Sequence, residues 1–132
     1  MKYSIDKKEK YAVFQLAEEN LNSVIAPELK SELVIFVNEG VRNLVFDLSN
    51  VQYVDSSGLS AILTANRLWK PIGSFVLTGI THPNVKKLIE ISRLDTVLNI
   101  IPTVQESVEF VFMEELEREI KADASDQPTD EQ

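Results

Sequence analysis

The sequence has no cysteine, four glycines and a single histidine among its 132 residues. Without cysteine there is neither a disulfide framework nor a thiolate metal site. The glycines, at 40, 58, 73 and 79, form neither G-x-G-x-x-G nor G-x-x-x-x-G-K-[ST], so the common phosphate-cradling loops are missing. The histidine, His82, precedes Pro83 at an expected helix start, where a capping or surface role is the ordinary one. A Ser–His–Asp triad would have to use it, and no serine sits in a G-x-S-x-G elbow. Apolar runs fall well short of the roughly 18–20 residues that cross a bilayer. The opening MKYSIDKKEK has no apolar stretch behind its positive charges. Neither a membrane span nor a signal peptide is therefore expected, and the expected location is cytoplasmic.

Basic charge is also scarce. The formal net charge is −8. From Glu114 onward there are eight acids and two bases, against thirteen acids and eleven bases in the preceding 113 residues. A nearly neutral body lacks the basic face that a phosphate-backbone binder needs, so no direct nucleic-acid contact is expected. The acidic end reads as a solvated tail. A single domain over residues 1–116 is expected, with a disordered tail over 117–132.

The body itself is well patterned. Tyr3 and Ile5, the polar turn DKKEK and then YAVFQL (Tyr11–Leu16) read as a hairpin. Leu29, Leu33, Phe36 and Val37 share one helical face that stops at Gly40. NLVFDL (Asn43–Leu48) is a continuous apolar run, as expected of a strand covered on both faces. A helix follows over Leu59–Trp69, broken by Pro71 and Gly73, then a strand over Ser74–Gly79. Pro83 suits the first turn of a helix carrying Val85, Leu88 and Ile89. TVLNII (Thr96–Ile101) is a further short strand. Thr103 and Glu106 then form a T-x-x-E capping box, ahead of Val104, Val108, Val111, Phe112 and Leu116 on one face. The order β-β-α-β-α-β-α-β-α implies an α/β domain with a mixed sheet of four to five strands covered by about four helices.

VDSSGL, residues 54–59, lies where a strand hands over to a helix. Ligand and partner sites in open α/β sheets gather at such junctions. The first amides of a helix lack internal partners and carry partial positive charge, so Asp55, Ser56 or Ser57 could serve as a cap. One cap oxygen is sufficient, yet three polar side chains stand in a row before Gly58. Leu59, Ile62 and Leu63 make one apolar stripe on the following helix, and Ala61, Ala65 and Leu68 make a flatter one. A neighbouring helix or another protein could cover that flatter stripe. Phosphate on a serine here would suit the exposed amides but would be costly inside a docked interface. The site therefore has the parts of a switch that turns binding off without unfolding the domain. Asp47 and Asp55 could suggest a divalent metal, but one carboxylate pair is a weak signal and structural roles in turns and caps are favoured.

DLSNVQYVDSSGL, within Asn43–Ile101, resembles the STAS domain of anti-sigma factor antagonists, and the likeness extends over about residues 3–113. The resemblance implies a small α/β domain that is a binding module rather than an enzyme, with no cofactor. It implies a partner switch. The unphosphorylated antagonist binds an anti-sigma factor that is itself a serine kinase, and a sigma factor is freed. The kinase phosphorylates the first serine, here Ser56, and the antagonist lets go; a PP2C-type phosphatase reverses this. Asp55, Ser57, Gly58, Leu59 and the corner residue Asn22 would form the docking surface. Asn22 stands where the family commonly has Asp, and Arg93 where a glycine is usual. An alternative implication is a STAS module in a signalling scaffold or in a lipid or anion transporter complex.

Overall fold

The computed structural model describes residues 1–126. Its main sheet has five strands, β1 (Tyr3–Lys7), β2 (Ala12–Leu16), β4 (Leu44–Asp47), β6 (Phe75–Thr78) and β7 (Asn99–Ile101), in the spatial order β1-β2-β4-β6-β7. Only β1–β2 is antiparallel, closed by a tight turn in which the Lys8 amide donates to the Tyr11 carbonyl at 2.8 Å. The remaining pairs are parallel, with Phe14 opposite Phe46 and Phe46 opposite Leu77. A second, two-residue ladder joins β3 (Asn20–Leu21) to β5 (Tyr53–Val54), also in parallel. Four helices, α1 (Ala26–Asn38), α2 (Ser56–Trp69), α3 (Pro83–Ser92) and α4 (Val104–Asp126), complete the fold. The mixed sheet and four helices are those the sequence pattern called for.

The alternation within each strand decides which side chains share a core. Ala12, Phe14, Leu16, Leu44, Phe46, Phe75 and Leu77 point into the larger core with Leu29, Leu33, Phe36, Ile62 and Trp69 from α1 and α2. Aromatic rings cross it in contact, Phe14 to Phe46 at 5.3 Å and Phe46 to Phe75 at 6.2 Å between centroids. The buried Trp69 satisfies its indole N–H on the Val41 carbonyl at 2.9 Å. The opposite face is thinner, with Val45, Val76 and Val111 of α4 as its buried members.

Local chemistry explains most boundaries. Gly40 follows α1 with φ of +93°, a conformation that favours glycine. His82 caps α3 by accepting from the Asn84 amide through Nδ1 at 3.2 Å, with Pro83 in the first turn. Arg93 ends α3 in the left-handed region at φ of 56°, at the position where the sequence departs from the usual glycine. Thr103 Oγ1 accepts from the Glu106 amide at 3.1 Å, as the T-x-x-E pattern implies.

Several features differ from the expectation. The strand read over Thr96–Ile101 is shorter, because Leu94–Thr96 forms a 3-10 turn and only Asn99–Ile101 pairs. On α4, Val111 is fully buried, whereas Phe112 and Leu116 are about half exposed, so the predicted apolar stripe is only partly used. The expected boundary at residue 116 falls inside α4, which continues through the first part of the stretch read as disordered tail. Residues 117–126 are rich in helix formers, Glu117 pairs with Lys121 at 3.8 Å, and Arg118 reaches the sheet. The rest of the expected tail, 127–132, lies outside the described residues.

Arg118 belongs to a polar network at the amino ends of the parallel strands. Asn43, fully buried, donates through Nδ2 to the Lys10 carbonyl at 2.7 Å and to Glu115 Oε1 at 2.6 Å. Its Oδ1 accepts from the Ser74 amide at 2.8 Å and from Arg118 Nη2 at 3.0 Å. One amide thus joins β2, β4, β6 and α4 where the apolar contact is thin.

Candidate functional site

Residues 54–60 sit at the carboxyl-end side of the sheet, and the short β3–β5 ladder holds them there. Leu21 is opposite Val54, and the Leu21 carbonyl accepts from the Asp55 amide at 3.2 Å. Asn22 therefore lies beside Asp55, which brings two distant predicted site residues to one corner. The Asn22 side chain accepts from the Val24 amide at 3.0 Å, and its carbonyl accepts from Ile25 and Ala26, turning the chain into α1.

The helix begins at Ser56, three residues earlier than the apolar pattern suggests. Asp55 is the cap: its backbone is extended, and its Oδ1 accepts from the Gly58 amide at 2.9 Å. This divides the roles of the three polar residues. Ser56 occupies the first helical position, exposed and outside the cap, whereas Ser57 is half-buried. Asp55 is spent on the helix start. Asp47 accepts from Gln15 Nε2 and from the Ser49 amide. Each carboxylate thus has a structural use, and among the described residues no three His, Asp or Glu side chains are grouped to hold a metal.

Gly58 is buried, so it does not present a surface to a partner as the sequence reading supposed. A Cβ there would lie 2.3 Å from the Leu21 carbonyl oxygen and 2.8 Å from Val54 Cγ1. The first turn of α2 can approach the β3–β5 ladder only because this position has no side chain. Gly58→Ala should cost about 2 kcal/mol of folding stability, as overpacked sites do, read as a lower urea midpoint with unchanged slope. Leu59 is half-buried against the main core, so it too acts chiefly by placing the helix. The Ala61 and Ala65 stripe is fully buried within the protein's own core and is not left open for another protein.

A groove between the starts of α1 and α2 stays open. A shallow cavity of about 270 Å³ is lined by Ser23, Ala26, Pro27, Lys30, Ser56, Ser57 and Ser60. Lys30 reaches across from α1 and donates through Nζ to Ser60 Oγ at 3.1 Å. Around the site stand two exposed apolar side chains, Val24 at 81% exposure and Tyr53 at 56%. Neither they nor Lys30 were legible as site residues, because nothing in their local pattern sets them apart. A larger cavity, of about 450 Å³, lies at the opposite end of the sheet. Its walls carry four basic and four acidic side chains, among them the pairs Lys7–Glu39 at 3.0 Å and Lys10–Glu119 at 3.9 Å.

An exposed serine outside its own helix cap, beyond a parallel sheet, coincides with a family match: the STAS domain profile covers residues 2–107. The chain belongs to the STAS domain family. Its relatives include BtrV of Bordetella bronchiseptica, named as a candidate anti-sigma factor antagonist, 37% identical over 73 residues. That alignment covers 54% of this chain and 62% of BtrV, so it spans less than two thirds of the relative's length. Among solved structures, RsbS of Moorella thermoacetica, determined as a serine-to-glutamate variant, is 26% identical with a TM-score of 0.71. The match covers 89% of this chain and 99% of RsbS. The anti-sigma factor antagonist SpoIIAA, solved unphosphorylated, shares the fold at 18% identity and a TM-score of 0.70, over 83% of this chain and 96% of that one. The phosphorylated form of SpoIIAA, from Bacillus, superposes with a TM-score of 0.63. In this STAS domain no helix among the described residues is long and apolar enough to cross a membrane.

Proposed function

We propose that this STAS domain is an anti-sigma factor antagonist whose partner binding is switched off by phosphorylation of Ser56. The observation that carries the reading is the position of Ser56, exposed at the first turn of α2 and outside the cap that Asp55 already supplies. A phosphate can be added there without removing a bond the fold depends on. The names of BtrV and of SpoIIAA, and the solution of SpoIIAA in two phosphorylation states, support it.

The unphosphorylated protein would dock an anti-sigma serine kinase over the α1–α2 groove, with Asp55, Ser57, Asn22, Val24 and Tyr53 around it. It acts by binding, with no catalysis of its own, in the cytoplasm. In the kinase reaction the Ser56 hydroxyl oxygen bonds to the γ-phosphorus of ATP as the bond to ADP breaks, and the hydroxyl proton passes to a base of the kinase. A PP2C-type phosphatase would restore the hydroxyl with water. Gly58 and Leu59 serve by holding α2 against β3 and the core.

The test is incubation with ATP and an anti-sigma serine kinase from the same organism, followed by mapping of phosphate by mass spectrometry. One phosphate on Ser56 is expected, absent in Ser56→Ala. Phosphate found only on Ser57 or Ser125 would sink the assignment.

A further inference from the structure

We infer that Lys30 is the internal receptor for phosphate carried by Ser56, so that the phosphorylated state closes the α1–α2 groove. The inference rests on the phosphoacceptor reading and adds a residue of α1 to the switch. Lys30 Nζ is already held in the groove, 3.1 Å from Ser60 Oγ. Ser60 follows Ser56 by four residues within α2, and side chains so spaced share a helix face about 5–6 Å apart. Ser56 and Lys30 line the same cavity.

The charge of Lys30 is uncompensated. Among the described residues no carboxylate lies within 4 Å of it; Lys7, Lys8, Lys10 and Lys121 each pair with an acid. What sets Lys30 apart from the other unpaired lysines is its place in the cavity that Ser56 lines. Its present partner is a neutral hydroxyl, which accepts from the ammonium but brings no counter-charge, whereas a phosphate would bring both. The start of α1 adds to this. No side chain caps it, and Ala26 and Pro27 of its first turn also line the cavity. The Ala26 amide is taken by the Asn22 carbonyl and Pro27 has none, so the helix start contributes field rather than a free donor and Lys30 carries the contact. Two acids oppose phosphate by like charge: Asp55, one of whose oxygens is engaged by the Gly58 amide, and Glu28 in the first turn of α1, whose carboxylate bonds the Met1 ammonium at 3.3 Å.

Phosphate on Ser56 would therefore draw Lys30 from Ser60 and bridge α1 to α2. The bridge compensates the new charge on the protein's own surface and fills the groove a partner would enter. Released protein would then be stable without a further ligand.

The test installs phosphoserine at position 56 by genetic encoding and follows its second ionisation, which lies near pH 6 in a free phosphoserine, by ³¹P NMR. A nearby ammonium favours the dianion. Lys30→Met should therefore raise the midpoint by about half a pH unit, a modest shift because the site is open to water. Lys30→Arg should keep the midpoint near that of the unaltered lysine, and Lys70→Met, at the far end of α2, should not move it. An unchanged midpoint in Lys30→Met, or an equal shift in Lys70→Met, would overturn the inference. Encoded phosphate needs no kinase, so this outcome is separate from the phosphate mapping. Failure of a kinase to modify Ser56 would remove the proposed function and leave the Lys30 contact standing.

Discussion

Ser56→Asp is expected to lower affinity for the anti-sigma kinase by about 100-fold, equivalent to about 2.8 kcal/mol, with thermal stability unchanged or slightly raised. The two effects separate because the same charge meets two environments. In the free protein an acid at the first position of α2 faces exposed amides and the positive end of the helix, which favours it by about 0.3–1 kcal/mol. In the docked state the carboxylate would lose water beside the fixed charge of Asp55, and by drawing Lys30 across the groove it would fill the space a partner enters. Ser56→Ala adds no charge and breaks no cap, since the cap belongs to Asp55, so its affinity should stay within about threefold of the wild type. Calorimetry with the unmodified kinase, paired with thermal melts, distinguishes the outcomes. Undiminished binding by Ser56→Asp would remove the electrostatic basis of the switch. Weak binding with a collapsed melting temperature would show that position 56 carries the fold instead.

Asn43→Ala should destabilise the domain by about 3 kcal/mol, near 10 °C in melting temperature for a domain of this size. The buried amide makes two donations and accepts twice, so truncation leaves the Lys10 carbonyl and the Ser74 amide without that partner. It also frees Glu115 and Arg118, which tie α4 to the strands. Asn43→Asp should be worse at neutral pH, because it places an acceptor against the Lys10 carbonyl and a charge against Glu115. The same network gives the acid response. The Asn43 amide, and after it the Arg118 guanidinium, hold the Glu115 carboxyl below the usual carboxylate range against the opposing effect of burial. A carboxyl depressed in the folded state stabilises above its unfolded pKa, and that contribution is lost as pH falls through the lower folded value. Wild-type protein should therefore lose this part of its stability only in acid below about pH 4, the ordinary glutamate range. Asn43→Ala has less of it to lose, so urea midpoints of the two proteins should converge between pH 7 and pH 3. A constant gap would place the stabilisation elsewhere.

The reach of the sequence differed between features for physical reasons. Gly40, Pro83 and Thr103 announce their roles because a turn, a helix start and a cap are settled within a few residues of chain. The unbroken apolar run Leu44–Phe46 announced a strand covered on both sides for the same reason. The junction at VDSSGL was legible as a helix entrance, but which of its polar residues caps and which stands free was not. That division depends on β3, two residues long and too short to show a period, pairing with β5 more than thirty residues away. The same ladder, with its Leu21 carbonyl against Gly58, turns that glycine from an apparent surface residue into a packing requirement.

The sequence by itself determined the order of elements, the mixed α/β class and the serine-bearing turn, since each follows from spacing and local propensity. Only the tertiary structure decided that Asn43 joins three strands to α4, with Glu115 72 positions away, and that Lys30 reaches over Ser60 from 30 positions away. A lone asparagine and a lone lysine carry no pattern. Their meaning comes from the partners that packing of the sheet and helices sets opposite them, where a buried amide must be fully bonded and an unpaired ammonium is left facing a serine.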